Sequence, residues 1–430
     1  MSKMKQKIIA LYYKLKDGVL RTLTANVINK VISLVSSMVI TRLMTPAEYG
    51  IWSYALNLYS YLSLITGFGL ISGSLQFGSE NEGKGRAYNF FRYCVEKGSL
   101  INLGIVLIAE VAVIVQNLPI EGAKPFVIAI FPLLLLEFIV MMEQSILRAQ
   151  NRIGDYANIL NINSAFIAAG TCGGAIFGVT GVVAGRYLAS ILSIIYGGKV
   201  LWSDSSKIRN AGELYDDEKK QLWRFSLFTG ASSAMNCLVY ILDVTIIAEL
   251  IKSAEDVGVY KVGTLIPNAL QFIPSSVVVA ILPNIIYHRH NLAWVKKNVR
   301  NSFLGLISLN VVISGSIIAL SPVIIRIVSG EKYLAAVPVM RILTLGYFIG
   351  GTFRGLSINL LAAFRRVHYG FFISVVSCVT DIAANFFFIS RYGMIGAAYA
   401  TLLVDTVTAI ISFGYLIYLL RKGTINSEVS

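Results

Sequence analysis

Charge is scarce in this sequence. Only 14% of its 430 residues are Asp, Glu, Lys or Arg, against about 25% in a soluble domain, whose surface must face water. That deficit excludes a water-soluble globule. With 56% hydrophobic residues and a mean hydropathy of +0.69, lipid is the solvent for most of the surface. Histidine is nearly absent: His288, His290 and His368 all fall in polar loops, which leaves no intramembrane histidine to relay protons. Cysteine is as sparse. Cys94, Cys172, Cys237 and Cys378 form no CxxC pair and no His/Cys cluster, so neither a metal site nor a disulfide framework is expected, and they read as small apolar packing residues. There is no Walker P-loop, GxSxG or HExxH. The chain is therefore expected to have no catalytic site and no cofactor.

Positive charge is what the sequence has to spare. A net charge of +14 raises the question of nucleic acid, but the basic residues lie in short loops between apolar runs. That is the distribution of the positive-inside rule, and nucleic acid is not an expected partner. A hydrocarbon core about 30 Å thick needs roughly 20 apolar residues per helix. On that measure the sequence predicts about twelve spans, near 24–44, 50–77, 95–116, 126–147, 156–179, 181–202, 222–250, 257–287, 299–328, 335–363, 369–390 and 394–420. Loops on the side of the N-terminus carry clusters such as Lys84, Arg86 and Arg92, or Arg289, Lys296, Lys297 and Arg300. The opposite loops offer little beyond Arg42, Lys124, Lys252, Lys332 and Arg391. Both termini are therefore expected in the cytoplasm.

Segment 1–23 is too charged for a cleaved signal peptide. Its lysines alternate with Ile8, Ile9, Leu11, Tyr12 and Leu15, the pattern of an interfacial helix on the cytoplasmic leaflet. The longest polar interval, 203–221, falls at the centre. The expected organisation is a six-helix bundle over 24–202, a cytoplasmic linker over 203–221, a second six-helix bundle over 222–421 and a tail over 422–430. The halves resemble each other. Ala47-Glu48-Tyr49-Gly50 follows the first span and Glu255-Asp256-Val257-Gly258-Val259-Tyr260 the seventh. The stretch from Leu147 to Tyr156 corresponds to Leu360 to Tyr369, and Gly178-Val179-Thr180-Gly181 to Tyr392-Gly393-Met394-Ile395-Gly396. With six spans each, the halves share one orientation, and a pseudo-two-fold axis is expected along the membrane normal.

Helical spacing gathers polar residues on single faces: Asn26, Lys30, Ser33, Ser37 and Thr41 in the first span; Tyr54, Asn57 and Tyr61 in the second; Ser233, Asn236, Tyr240 and Asp243 in the seventh; Lys261, Thr264, Asn268, Gln271 and Ser275 in the eighth. Later spans carry Arg341, Thr344, Tyr347, Gly351 and Arg354, then Ser374, Ser377, Asp381 and Asn385, then Thr401, Asp405, Thr408 and Ser412; the fourth carries Glu137, Gln144 and Arg148. A Ser, Thr or Asn in a membrane helix often serves only to bond a neighbouring helix, for about 0.6 kcal/mol. A mid-helix charge costs roughly 2.5–3.5 kcal/mol on insertion scales, so Lys30, Asp243, Arg354, Asp381 and Asp405 stand out. Lys30 and Arg354 are candidates for a cavity. Glu137, Asp381 and Asp405 are candidates for ion coupling or for internal pairing, the two aspartates with Arg341 or Arg354. Pro267, Pro274 and Pro283, with Gly263, predict a kinked eighth span.

The run Thr41-Arg42-Leu43-Met44-Thr45-Pro46-Ala47-Glu48-Tyr49-Gly50 resembles the TRLL-x-P-x-x-YG hallmark of lipid-linked oligosaccharide flippases of the multidrug/oligosaccharidyl-lipid/polysaccharide exporter superfamily. Asp243 followed by Val257-Gly258-Val259-Tyr260 resembles the matching stretch of their second half. The resemblance covers nearly the whole chain. It implies an all-α fold of two six-helix bundles around a central cavity lined by spans one, two, seven and eight. It also implies alternating access that carries an undecaprenyl-pyrophosphate-linked oligosaccharide repeat unit from the cytoplasmic to the periplasmic leaflet of a bacterial inner membrane, for O-antigen or capsule assembly. Implied partners are that lipid-linked glycan and membrane lipids, with a polysaccharide polymerase and a chain-length regulator as candidates. The substrate-facing set is then Lys30, Asn26, Asn57, Tyr61, Asn236, Tyr240, Asp243, Lys261, Asn268 and Arg354, with cations for a diphosphate and amides and phenols for sugar hydroxyls. Two other readings stay open. A multidrug antiporter of the same superfamily would use Glu137, Asp243, Asp381 and Asp405. A polytopic glycosyltransferase or polysaccharide polymerase would need a larger external loop than this chain has. Energy for transport would come from an ion gradient or from the substrate's own gradient.

Overall fold

A computed structural model of the protein describes residues 24–81, 85–288 and 290–423. Among these residues all regular structure is helical. The interfacial segment 1–23, the tail 424–430 and the basic residues Lys84 and Arg289 lie outside the described residues. The first half runs α1 (Thr24–Leu43), α2 (Pro46–Leu64), α3 (Leu70–Glu80), α4 (Ala87–Val115), α5 (Lys124–Ile130), α6 (Leu133–Ala149), α7 (Ile153–Gly174) and α8 (Gly178–Val200). A short α9 (Ser205–Arg209) leads into α10 (Asp216–Ile251), α11 (Ala254–Leu270), α12 (Phe272–Tyr287), α13 (Leu292–Val328), α14 (Val337–Ile349), a π-turn (Gly350–Arg354), α15 (Gly355–Ala363), α16 (Val367–Tyr392) and α17 (Met394–Lys422).

Nine helical stretches among the described residues are long and apolar enough to cross a membrane, and one of them, Ile153–Val200, contains both α7 and α8. Helices α10 and α11–α12, which carry the polar stripes of the expected seventh and eighth spans, are not among those nine. The protein is a multi-pass membrane protein. Chain contacts separate two compact units, residues 24–44 with Tyr54–Ile241, and Thr45–Ser53 with 242–423. Each has its own apolar core. In the first, Phe90, Cys94, Phe138, Met142 and Ile146 pack with Leu222; in the second, Val299, Phe303, Leu356, Leu360 and Leu416 pack with Ile285.

The repeated motifs do repeated jobs. The first is a helix start. The Glu48 carboxylate accepts from the backbone N–H and the hydroxyl of Thr45, both at 2.8 Å, while the Glu48 N–H donates to the Thr45 hydroxyl at 3.3 Å. This is a reciprocal capping box, with Pro46 in the first helical turn where its missing N–H costs nothing. At the head of α11, Ser253 accepts from the Asp256 N–H at 3.2 Å. The second motif is a helix stop: Arg152 N–H reaches the Leu147 carbonyl, and Arg366 N–H the Leu361 carbonyl, past Asn151 and Arg365 in the left-handed region, the geometry of a Schellman end. The third places Gly178 (φ 66°, ψ −155°) at the first position of α8 and Gly393 (φ 59°, ψ −144°) just ahead of α17, a conformation open only to glycine.

Close approaches between helices depend on small residues. A Cβ built on Gly170 would sit 2.2 Å from the Gly185 carbonyl oxygen, and one on Gly185 1.9 Å from that of Gly170; Gly174 and Gly181 exclude one another in the same way, at 2.0 and 2.1 Å. The α7–α8 hairpin is thus a small-xxx-small crossing. In the second unit Gly50 and Gly258 face the backbones of Ala254 and Pro46. The eighth span, expected to be kinked, is interrupted at Gln271, between α11 and α12, with Pro267 inside α11.

The central polar interval is folded. Asp204, 6% exposed, accepts from Arg152 at 2.6 Å and Lys207 at 3.0 Å. Arg92 bonds the carbonyls of Arg209 and Ala211, and Arg86 pairs with Glu218 at 2.6 Å and lies over the Tyr215 ring. Burial alone would raise the pKa of Asp204. Hydrogen bonds from Lys207 and Tyr88, with the charges of Lys207 and Arg152, outweigh it and hold the carboxyl below its ordinary range.

Candidate functional site

The second unit concentrates its membrane-embedded charge where α10, α11, α16 and α17 meet. Asp243 of α10 accepts three hydrogen bonds: Tyr260 Oη at 2.7 Å and Thr401 Oγ1 at 3.3 Å on Oδ2, and Asn385 Nδ2 at 3.0 Å on Oδ1. The same amide nitrogen of Asn385 donates to Asp381 Oδ1 at 3.1 Å. One side chain thus ties two carboxylates together. Asp381 is 3% exposed and Asn385 fully buried, yet Asp381 Oδ2 and Asn385 Oδ1 have no hydrogen-bond partner. A buried polar atom left unpaired costs about 1–3 kcal/mol. Lys261, next to Tyr260 on α11, acts on Asp243 through its charge.

Asp405 of α17 adjoins this cluster and acts electrostatically on Asp381 and Asp243. Its carboxylate lies against Gly346 and Gly350, where an added Cβ would come within 3.1 and 2.8 Å of it. Its oxygen Oδ1 accepts from Arg354 Nη1 at 3.1 Å. Three carboxylates, Asp243, Asp381 and Asp405, therefore face two cations, Lys261 and Arg354. The arrangement has more carboxylates than basic side chains, and Asp381 Oδ2 and Asn385 Oδ1 are buried oxygens without a hydrogen-bond partner. Chemically it is a hard, oxygen-rich place for a monovalent cation or a proton. Among the described residues no group of three or more His, Cys, Asp and Glu side chains is arranged to hold a metal ion, so any cation there would also lean on amide and hydroxyl oxygens.

The first unit resolves its charge differently. Glu137 of α6 accepts from Arg186 Nε and Nη2 on Oε1, at 3.0 and 2.6 Å, and from Tyr59 Oη on Oε2 at 2.6 Å. Both carboxylate oxygens are used, which makes this an internal pair.

The structure brings five of the sequence candidates together: Asp243, Lys261, Arg354, Asp381 and Asp405. It leaves others apart. Asn26 and Lys30 are exposed on α1, Asn268 is exposed on α11, and Asn57 is buried in α2. Tyr61 donates to the Ile241 carbonyl at 3.4 Å. The side chains of Asn236 and Tyr240 lie outside the described residues. Of the two partners considered for the aspartates, Arg354 takes Asp405, while Arg341 bonds Ser321 Oγ at 2.7 Å. Sequence reasoning did not single out Arg186, Asn385, Thr401 or Tyr260 as site residues. Asn385 carried a usable signal, four residues after Asp381 on one helical face; Tyr260 entered only as the last residue of the repeated Val257-Gly258-Val259-Tyr260 motif.

A family model described as polysaccharide biosynthesis protein matches residues 15–288, nearly two thirds of the chain. The chain belongs to the polysaccharide biosynthesis protein family. No curated protein matches it by sequence. Solved structures share its fold. One, described as the lipid II flippase MurJ in an inward closed conformation, is similar at a TM-score of 0.74 and 15% identity, over 96% of this chain and 94% of that one. An inward-facing multidrug resistance MATE family transporter of the MOP superfamily is similar at a TM-score of 0.72 and 13% identity, over 93% and 96% of the two chains. A MOP superfamily transporter from Pyrococcus furiosus is similar at 0.59 and 13% identity, over 96% and 97%. The fold of this family member is therefore the two-lobed, all-helical fold of MOP transporters. These neighbours are described as flippases and transporters.

Proposed function

We propose that the protein is a flippase for undecaprenyl-pyrophosphate-linked oligosaccharide repeat units, moving them from the cytoplasmic to the periplasmic leaflet of a bacterial inner membrane for O-antigen or capsule assembly. The observation that carries this reading is the match of a polysaccharide biosynthesis model over residues 15–288 on a chain built of membrane-crossing helices. Such a chain can act on polysaccharide precursors chiefly by carrying them across. Two six-helix bundles joined by a cytoplasmic linker, with both termini cytoplasmic, would work by alternating access. Exposed Lys30, among the polar residues of α1, supplies a charge for the diphosphate. The Asp243–Asp381–Asp405 cluster supplies the coupling: a sodium ion or a proton entering it would pair with the buried, unpartnered oxygen of Asp381, and the conformations that hold it would be favoured by its gradient.

A second reading, a multidrug antiporter, is favoured by that same carboxylate cluster, since acidic sites also serve cationic drugs. One experiment separates them. In cells lacking the protein but retaining the pathway's glycosyltransferases, lipid-linked repeat units are extracted and their leaflet sidedness read with a protected lectin. The flippase reading expects accumulation on the cytoplasmic side, reversed by wild type and not by Lys30→Ala. Normal levels and sidedness, with new sensitivity to cationic drugs, would replace it with the antiporter.

A further inference from the structure

The π-turn at Gly350–Arg354 is a rare element, found mostly where a helix performs a function. Here it has its own brace. Asn310 of α13 is fully buried and uses both ends of its amide on α14 and the π-turn. Its Nδ2 donates to Thr352 Oγ1 at 2.9 Å, and its Oδ1 accepts from Tyr347 Oη at 2.9 Å. Thr352 and Tyr347 are themselves 0% and 2% exposed. These two residues stand five apart in sequence. Tyr347 lies in the last turn of α14 and Thr352 inside the π-turn. Asn310 thus ties the π-turn, with its one residue more than an α-helical turn, to the helix that precedes it.

That extra residue also decides where Arg354 points. Removing it from the turn would rotate everything after it by about 100° and take the guanidinium away from Asp405. We propose that Asn310 is a positioning residue for the carboxylate cluster: by locking the π-turn it holds Arg354 on Asp405, and it thereby sets how strongly the cluster binds its cation. The inference rests on the reading of that cluster as the coupling site. Arg354 is a fixed competitor of the incoming cation for the negative charge of the cluster. Releasing it makes the cluster more negative and the cation tighter.

The test uses the full-length protein in lipid nanodiscs, with radioactive sodium binding at pH 8 in choline chloride as background. A parallel proton titration of intrinsic fluorescence without sodium covers a site filled by protons. Arg354→Gln is expected to lower the half-saturating cation concentration about tenfold, the effect of removing a nearby unit charge. Asn310→Leu and the nearly isosteric Thr352→Val should lower it at least about threefold, and Thr352→Ser should restore the wild-type value. Asn310→Leu added to Arg354→Gln should produce no further shift, because both act through one guanidinium. Folded Asn310→Leu and Thr352→Val proteins with wild-type midpoints, beside a shifted Arg354→Gln, would overturn the positioning role and leave the coupling site standing. An unshifted Arg354→Gln would overturn it too. A wild-type protein that binds neither sodium nor protons saturably would remove the coupling site itself, and the positioning role with it.

Discussion

The heads of α2 and α11 cross more closely than any side chain allows. A Cβ on Gly50 would lie 1.7 Å from the carbonyl oxygen of Ala254 and 2.6 Å from its carbon; a Cβ on Gly258 would lie 2.1 Å from the carbonyl oxygen of Pro46. The contact is reciprocal, with each glycine against the first residue of the other helix. Ordinary contact begins near 3.4 Å, so Gly50→Ala must force the backbones apart by about 1.7 Å, which is 3.4 minus 1.7. No rotamer can absorb this, because the obstruction is main chain. Overpacking of this kind costs about 1–3 kcal/mol, sometimes more, and the forced separation also loses the surrounding contacts; about 3 kcal/mol is expected. Gly414→Ala in α17 is the control. A Cβ there meets nothing within 4 Å, and alanine favours the helix by up to about 1 kcal/mol. The measurement is thermal unfolding in detergent, followed by size-exclusion of the surviving fraction. Gly50→Ala should melt well below wild type and Gly414→Ala at or above it. Gly50→Ala/Gly258→Ala should fall little below the worse single variant, since one separation relieves both clashes. Equal melting of Gly50→Ala and Gly414→Ala would refute the close-crossing argument.

Two further outcomes follow from charges outside the proposed coupling cluster. Glu137→Gln leaves Arg186 in the membrane without its carboxylate and should destabilise the first unit by about 3–5 kcal/mol, read by the same melting assay; the charge-free pair Glu137→Gln/Arg186→Met should recover most of that loss, and a double variant no better than the single would contradict the pairing. Asp204→Asn removes the anchor shared by Arg152 and Lys207 and should cost about 2 kcal/mol at neutral pH. Because the folded carboxyl titrates below its ordinary value of about 4, its contribution is fully present above that pH and fades as pH falls through the folded value. The gap between wild type and Asp204→Asn should therefore persist from pH 8 to pH 5 and close only in stronger acid; a gap that closes between pH 7 and 6 would contradict the assignment.

Much of this protein was legible before any coordinates, because lipid imposes its rules locally. Twelve apolar stretches had to be helices, since an unpaired backbone cannot sit in hydrocarbon. The T-P-A-E of the first motif had to begin a helix, and its counterpart Ser253–Asp256 did the same. Glycines 178 and 393 marked turns that other residues resist. Isolated mid-span charges announced that they needed partners, and Arg354 with Asp405 was among the pairings that sequence could pose.

What sequence could not supply was who meets whom. Asp243, Tyr260, Asn385 and Thr401 come from four helices separated by as many as 158 positions, and no periodicity within one helix reports its neighbours. Glu137 and Asp381 look alike in sequence, each an acid within an apolar span. Packing gives one an arginine and a phenol and leaves the other an oxygen without a partner. The π-turn was invisible for the same reason: its brace, Asn310, lies forty-two residues from Thr352. Sequence alone determined that the chain spans a membrane, where it turns and that it repeats, because desolvation and backbone geometry act residue by residue. Only the tertiary structure decided which buried charges are satisfied and which are left short, because that balance is struck between helices.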